Sequence, residues 1–325
     1  MKVLLTVIVF AVVMGAGSPA SAQQPYPTRP VTIIVPFAAG GPTDVIARTM
    51  AQHMRTTLGQ TVVIENVTGA NGNIGVGRVA RAAPDGYTLS IGHWSTHVVN
   101  GAVYPLTHDV LKDFEPISLI ATNSYLIVAK HAVPANDLKS FIAWLKANPE
   151  KASEGTAGPG SPQHVGGVFF QQATGTRFLF VPYRGAAPAM QDLLASQIDF
   201  IIDDPTNSLP HVRAGKIKAF AVTARSRLAA APDIPTVDEA GMPGFYFSRW
   251  HALWAPKGTP KDVIAKLNSA VVAALADPTV SSRLADLGQE IFPRAQQTPE
   301  ALAAYHKAEI EKWWPMIKKA GIKAD

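Results

Sequence analysis

Short β-branched runs recur along the chain, each ending in a Gly- or Pro-rich loop that opens an amphipathic stretch. This alternation limits the chain to an α/β fold built on open sheets. Residues 31–35 are apolar and β-branched, as in a buried strand. They run into Pro36-Phe37-Ala38-Ala39-Gly40-Gly41-Pro42-Thr43-Asp44. Residues 45–58 follow with Val45, Ile46, Met50 and Met54 near helical spacing, and Gly59 closes that helix. Residues 62–65 read as a second strand, 76–82 as a short helix after a Gly/Asn-rich loop, and 87–92 as a third strand. Strands and helices in this order predict a mainly parallel sheet.

A second α/β unit follows. Residues 118–128 read as a strand that crosses into it, broken near Asn123. Helices are expected at 138–147, 165–173, 187–196 and 205–214, and strands at 178–182, 199–202 and 218–223, with a loop at 155–162. Residues 225–243 form the return connection. The tail is helical at 263–275, 280–287 and 299–320; Thr259 is placed to cap the first of these, with Pro260 in its first turn and Asp262 complementing the dipole. The expected division is 23–122 plus 226–325 as one discontinuous lobe and 123–225 as the other. Two lobes joined by crossing segments are the layout of a hinged receptor with its ligand in the cleft.

The first 22 residues read differently. Lys2 precedes an apolar run over 3–14 interrupted only by Thr6, and Ala20-Ser21-Ala22 ends it with a small-x-small site. That is a secretory signal peptide with cleavage after Ala22. The run is too short to span a bilayer, which takes about 20 residues. The expected location is the bacterial periplasm. The chain of 325 residues has no cysteine, which excludes disulfides, Cys-ligated zinc, iron–sulfur clusters and a cysteine nucleophile. With 29 Lys+Arg against 24 Asp+Glu, the small positive charge admits an anionic ligand and does not point to nucleic acid.

Four segments are candidates for chemistry. In loop 36–44, Gly40 and Gly41 give backbone N–H groups access to a ligand, and a helix N-terminus is an anion site. The loop is neither a Walker phosphate loop nor G-x-G-x-x-G; it also fits a plain strand-to-helix turn with Asp44 complementing the dipole. His93-Trp94-Ser95-Thr96-His97 lies just past the third strand. Its two histidines share a face only if the segment is helical, which is not expected, and only His108 is near as a third ligand, so no metal is assigned. In 158–164, Ser161 is a natural N-cap, or with Gln163 and His164 a ligand contact; no G-x-S-x-G elbow supports a hydrolase. In 181–190, Arg184 is placed to clamp a carboxylate. Asp203-Asp204 caps the helix near Pro205 or faces the ligand. Trp250, His251 and Trp254 read as a core strand, and Trp313-Trp314 as packing.

Taken together, these segments resemble one family, the substrate-binding proteins of tripartite tricarboxylate transporters, or Bug-type receptors. The resemblance runs from Tyr26-Pro27-Thr28-Arg29-Pro30-Val31 through the 36–44 loop, Gly69-Ala70-Asn71-Gly72-Asn73-Ile74-Gly75, Pro84-Asp85-Gly86-Tyr87-Thr88-Leu89 and Ser95-Thr96-His97. It continues through Val181-Pro182-Tyr183-Arg184-Gly185-Ala186-Ala187-Pro188-Ala189, Ala221-Val222-Thr223, Pro232-Asp233-Ile234-Pro235-Thr236 and Ala255-Pro256-Lys257-Gly258-Thr259-Pro260.

The resemblance implies a two-lobed periplasmic-binding-protein fold of type II-like, Venus-flytrap form, each lobe a mainly parallel sheet flanked by helices. It implies a small carboxylate ligand, a di- or tricarboxylate or an aromatic acid, the transmembrane permease subunits of a tripartite tricarboxylate transporter as partners, no cofactor and no catalysis. Its site residues carry over as Phe37, Ala39, Gly40, Gly41 and Asp44, then Ser95, Thr96 and His97. Across the cleft they are Ser161, His164, Arg184, Gly185, Ala186 and Asp203. Departures are Glu154, where small residues are usual, and Trp94, which either stacks on a flat ligand or packs beneath its loop. Asp203-Asp204 either repels a second carboxylate or pairs with a ligand amine. With no long heptad pattern in the tail, a monomer is expected. An exported sensing adaptor and a hydrolase using Ser161 and His164 or Ser95 and His97 are the competing readings.

Overall fold

The computed structural model describes residues 26–323. The leader and its cleavage site lie outside the described residues. The chain builds β1 (Val31–Val35), α1 (Pro42–Leu58), β2 (Val62–Asn66), α2 (Asn73–Ala80), β3 (Thr88–His93), α3 (Asn100–Val103) and β4 (Phe114–Ser124). It then forms β5 (Leu126–Ala129), α4 (Leu138–Ala147), β6 (Ser153–Thr156), α5 (Pro162–Thr174), β7 (Leu179–Pro182), α6 (Ala186–Leu194), β8 (Phe200–Asp203), α7 (Pro205–Arg213) and β9 (Lys218–Val222). The tail adds β10 (Ser248–Pro256), α8 (Lys261–Ala276), α9 (Pro278–Asp286), β11 (Glu290–Ile291) and α10 (Pro299–Lys319).

These elements make two open sheets flanked by helices. The first has the order β11-β4-β10-β3-β1-β2 and the second β7-β6-β8-β5-β9. Both are mixed, where the alternation predicted mainly parallel sheets. β1 is parallel to β2 and β3, but β10 runs antiparallel to β3 and β4, and β11 to β4. In the second sheet β6 is parallel to β7 and β8, while β5 is antiparallel to β8 and β9. The cause is the crossing: β4 carries the chain out of the first sheet and β10 brings it back alongside.

Only Tyr125 separates β4 from β5, and the crossing is stitched there. Tyr125 N–H donates to Thr223 Oγ1 at 2.8 Å, Thr223 N–H donates back to Tyr125 O at 2.8 Å, and Thr223 Oγ1 donates to Phe247 O at 2.6 Å.

Helix α1 shows how local sequence sets an element. Pro42 supplies the fixed φ of a first turn, Ile46, Met50, Met54 and Leu58 bury one face, and Gly59 ends the helix at φ 69°. At α8 the expectation fails: Pro260 is the N-cap, and Thr259 Oγ1 donates to Pro256 O at 2.8 Å instead. Residues 95–103 are helical, a π turn over Ser95–Val99 followed by α3, where a non-helical segment was expected. Residues 153–156, partly read as loop, form β6.

Candidate functional site

The two sides meet along a cleft. A Cβ built on Gly185 would lie 3.2 Å from Ala38 N and 3.3 Å from Ala38 Cβ, and one on Gly41 would lie 3.9 Å from Ala187 Cβ. Tyr104 Oη donates to Pro159 O across the cleft at 2.7 Å. Within it lies a small cavity of about 20 Å³. The first-sheet side contributes Phe37, Gly41, Pro42 and Thr43 from the β1–α1 junction, His93 from the end of β3, and Arg249 from β10. The second-sheet side contributes Ala157, Pro162, Gln163 and Ala186. A wider groove of about 430 Å³ at the mouth runs past Ala39, Gly40, Ala187, Gln191 and Asn207.

The first turns of three helices converge on the inner cavity: α1 at Pro42–Thr43, α5 at Pro162–Gln163 and α6 at Ala186. The leading N–H groups of a helix lack intrahelical partners and carry partial positive charge, so the convergence favours an anion. Arg249 adds a guanidinium. It is ion-paired to the Asp204 carboxylate with both side chains buried. Asp204 also caps α7, accepting from Thr206 N–H at 2.7 Å.

Asp203 is fully buried beside this pair. It accepts from Asn207 Nδ2 at 2.8 Å and from Gln163 Nε2 at 3.4 Å. Burial, then the neighbouring Asp204 charge, pushes its pKa up to about 7. His93 and His251 are driven the other way, by burial and then by the Arg249 charge, well below the ordinary imidazole range. Both are neutral. His93 stacks on Phe37 with ring centroids 4.7 Å apart, and His251 Nε2 meets Thr43 Oγ1 at 3.2 Å.

The residues carried over from the resemblance divide by position. Phe37, Gly41 and Ala186 line the inner cavity, Ala39 and Gly40 line the mouth, and Gly185 forms the close approach to Ala38. Asp203 stands behind Gln163. Asp44 does not face the cavity: its carboxylate accepts from Gly40 N–H, Arg48 Nε and Asn66 Nδ2, each at 2.9 Å, and so holds the loop. Ser161 caps α5, accepting from His164 N–H at 3.3 Å. His164 Nδ1 accepts from Gly160 N–H at 3.2 Å, and its ring meets Phe180 edge-on.

Two side chains lie away from the cavity. Trp94 is fully buried in the core, edge-on to Trp313 at 4.8 Å and Phe247 at 5.5 Å, and packs beneath its loop. Arg184 is exposed after edge strand β7 and lines neither cavity nor mouth; the guanidinium at the cavity is Arg249. His97 stacks on Trp254 at 3.6 Å in the core, while Ser95 and Thr96 turn back onto His93. The helical turn that carries 95–99 points these side chains inward. Among the described residues no group of three His, Asp or Glu could hold a metal ion.

Arg249 was missed, and Thr43 stood inside the candidate loop 36–44 without being assigned a role. Arg249 directly precedes Trp250, which with His251 and Trp254 read as a core strand, and a charged residue at the start of that apolar run was its one available signal.

A family model for tripartite tricarboxylate transporter family receptors matches residues 46–322. The periplasmic binding protein BugD shares 44% identity and a TM-score of 0.88, covering 92% of this chain and 100% of that one. MatC from Rhodopseudomonas palustris, solved with bound malate, shares 39% identity and a TM-score of 0.86 over 90% of this chain and 100% of its own. A further R. palustris protein, solved with adipate, shares 34% identity and a TM-score of 0.87 over 91% and 99%. The chain belongs to the tripartite tricarboxylate transporter receptors, as a solute-binding protein of the Bug type.

Proposed function

We propose that this protein captures a small carboxylate between two lobes, 23–122 plus 226–325 and 123–225, and presents it to the permease subunits of a membrane transporter. It works in the periplasm after loss of its leader, as a monomer, and performs no chemistry on the ligand. The observation that carries this reading is the convergence of three helix first turns on one small cavity between the sheets. Relatives of similar architecture holding malate and adipate support it. Contacts to both sides favour the closed arrangement, and that difference in affinity drives closure.

The test is a thermal-shift screen of the protein against mono-, di- and tricarboxylates, aliphatic and aromatic. A ligand at about 100 times its Kd adds about 2.7 kcal/mol, a shift of several degrees. Stabilisation confined to one class of acid is expected. No shift with any acid, on folded and ligand-free protein, overturns the reading.

A further inference from the structure

One contact between the two sides lies away from the ligand cavity. Tyr104 directly follows α3 on the first-sheet side, Pro159 stands between β6 and α5 on the second, and neither borders the inner cavity or the mouth. The Tyr104 hydroxyl donates to Pro159 O at 2.7 Å. The next residue, Gly160, lays its backbone on the same face. A Cβ built on it would lie 3.3 Å from Val103 Cγ1, 3.4 Å from Asn71 Nδ2 and 3.5 Å from Asn100 Oδ1, and the residue sits at φ 73°, which favours glycine. The seat beneath it is held by asparagines. Asn71 Nδ2 donates to Asn100 Oδ1 at 2.8 Å, and Asn100 Nδ2 donates to Asn71 O at 2.9 Å and to Asn73 Oδ1 at 2.7 Å. These bonds tie the Gly/Asn-rich run at 69–75 to the start of α3. On the other side, Ser161 N–H donates to Gly158 O at 3.0 Å, and the loop runs directly into Pro162 and Gln163, which line the cavity.

We propose that Tyr104 is a positioning residue for capture: its bond to Pro159 O latches the two sides together and sets the first turn of α5 against the cavity. The inference rests on the capture reading and adds to it a residue that works through closure, not through the ligand. A bond between the sides exists while they are together and is lost when they part. It therefore stabilises the closed arrangement alone. Its effect is the same whichever acid is held. Contacts to the ligand set the ranking of acids, and the latch sets how long any of them stays. Burial pushes the phenol up to about 12, so it remains protonated and a donor in neutral solution.

The test is Tyr104→Phe, which removes the hydroxyl and keeps the ring. Wild type and variant are immobilised, and surface plasmon resonance follows malate, adipate, citrate and phenylacetate. One neutral hydrogen bond amounts to about three- to tenfold in an equilibrium constant. Dissociation of every acid that binds should quicken by one common factor in that range, with association unchanged and the ranking of acids kept. Amide exchange at saturating acid is the second measurement. Exchange at Gly160 and at Asn71 should quicken together, because parting bares both faces of the latch. Equal dissociation rates overturn the proposal. So does a factor that varies from acid to acid, which would place Tyr104 at the ligand. Faster exchange confined to residues 103–106 overturns it as well, since that marks a local defect in the loop. If none of the acids binds the wild type, the capture reading falls and the latch with it.

Discussion

Asp44 and Asp203 are both buried aspartates, and their surroundings move their carboxyls in opposite directions. At Asp44 burial alone would raise the pKa, but the bonds from Arg48, Gly40 and Asn66 outweigh it and hold the group below the usual carboxylate range. Its work is to fix loop 36–44. Asp44→Ala leaves Gly40 N–H without its acceptor, at a cost of about 1–3 kcal/mol. Ligand affinity should fall with stability, because the mouth residue Gly40 loses its anchor. Paired denaturation and titration of the variant check this; unchanged stability would refute the loop role.

Asp203 is the contrary case. In the unfolded chain its proton leaves near pH 4, and in the folded protein near about 7. Between those values the folded state holds a proton that the unfolded state has lost. Its contribution to stability is therefore greatest below pH 4 and declines as the pH rises to 7. Asp203→Asn should remove about 1.4 kcal/mol per pH unit of that decline. Denaturant unfolding of both proteins from pH 4 to pH 8 measures it. Glu154, buried on β6 and also raised, slopes the same way and stays present in both proteins.

At the scale of elements, the hydrophobic period located most helices and strands because each buries one continuous face. Helix α1 and helix α10 were legible for that reason, the first closed by Gly59 and the second opened by Pro299. Strand β6 was not, since Ser153-Glu154-Gly155-Thr156 carries no β-branched apolar run. Its burial comes from neighbours β7 and β8, which only the tertiary fold supplies. The turn at 95–99 was misjudged for the same reason: Ser, Thr and His have weak helix propensity, and packing of His97 on Trp254 overrides it. Three of the carried-over site residues line the cavity, yet Arg249 escaped because its partner Asp204 is 45 residues away in sequence.

The crossing is an element of its own. Thr223→Val removes the hydroxyl that accepts from Tyr125 N–H and donates to Phe247 O, and should cost about 1–3 kcal/mol. Amide exchange at Tyr125 should quicken in the variant. Unchanged exchange would mean the stitch carries no load.

For the whole molecule, the proposed closure would bring bare backbone together at the cleft. Gly185 sits at φ 143° with Ala38 against it, so a side chain there is strained and also wedges the cleft. Gly185→Val should weaken ligand binding by tenfold or more while the fold survives. Small-angle scattering should show the radius of gyration falling on ligand addition in the wild type and not in the variant. A variant that compacts normally would show that the approach at Ala38 is not needed.

The burial of Trp94 has an optical consequence. Its neighbour Trp313 and the two tryptophans of β10, Trp250 and Trp254, are buried in the same core, and no tryptophan borders the inner cavity or the mouth. Intrinsic fluorescence is therefore expected to change little with occupancy here. A flat emission titration says nothing about affinity, and a reporter indole has to be introduced at the mouth, as in Ala39→Trp, before light can count bound molecules.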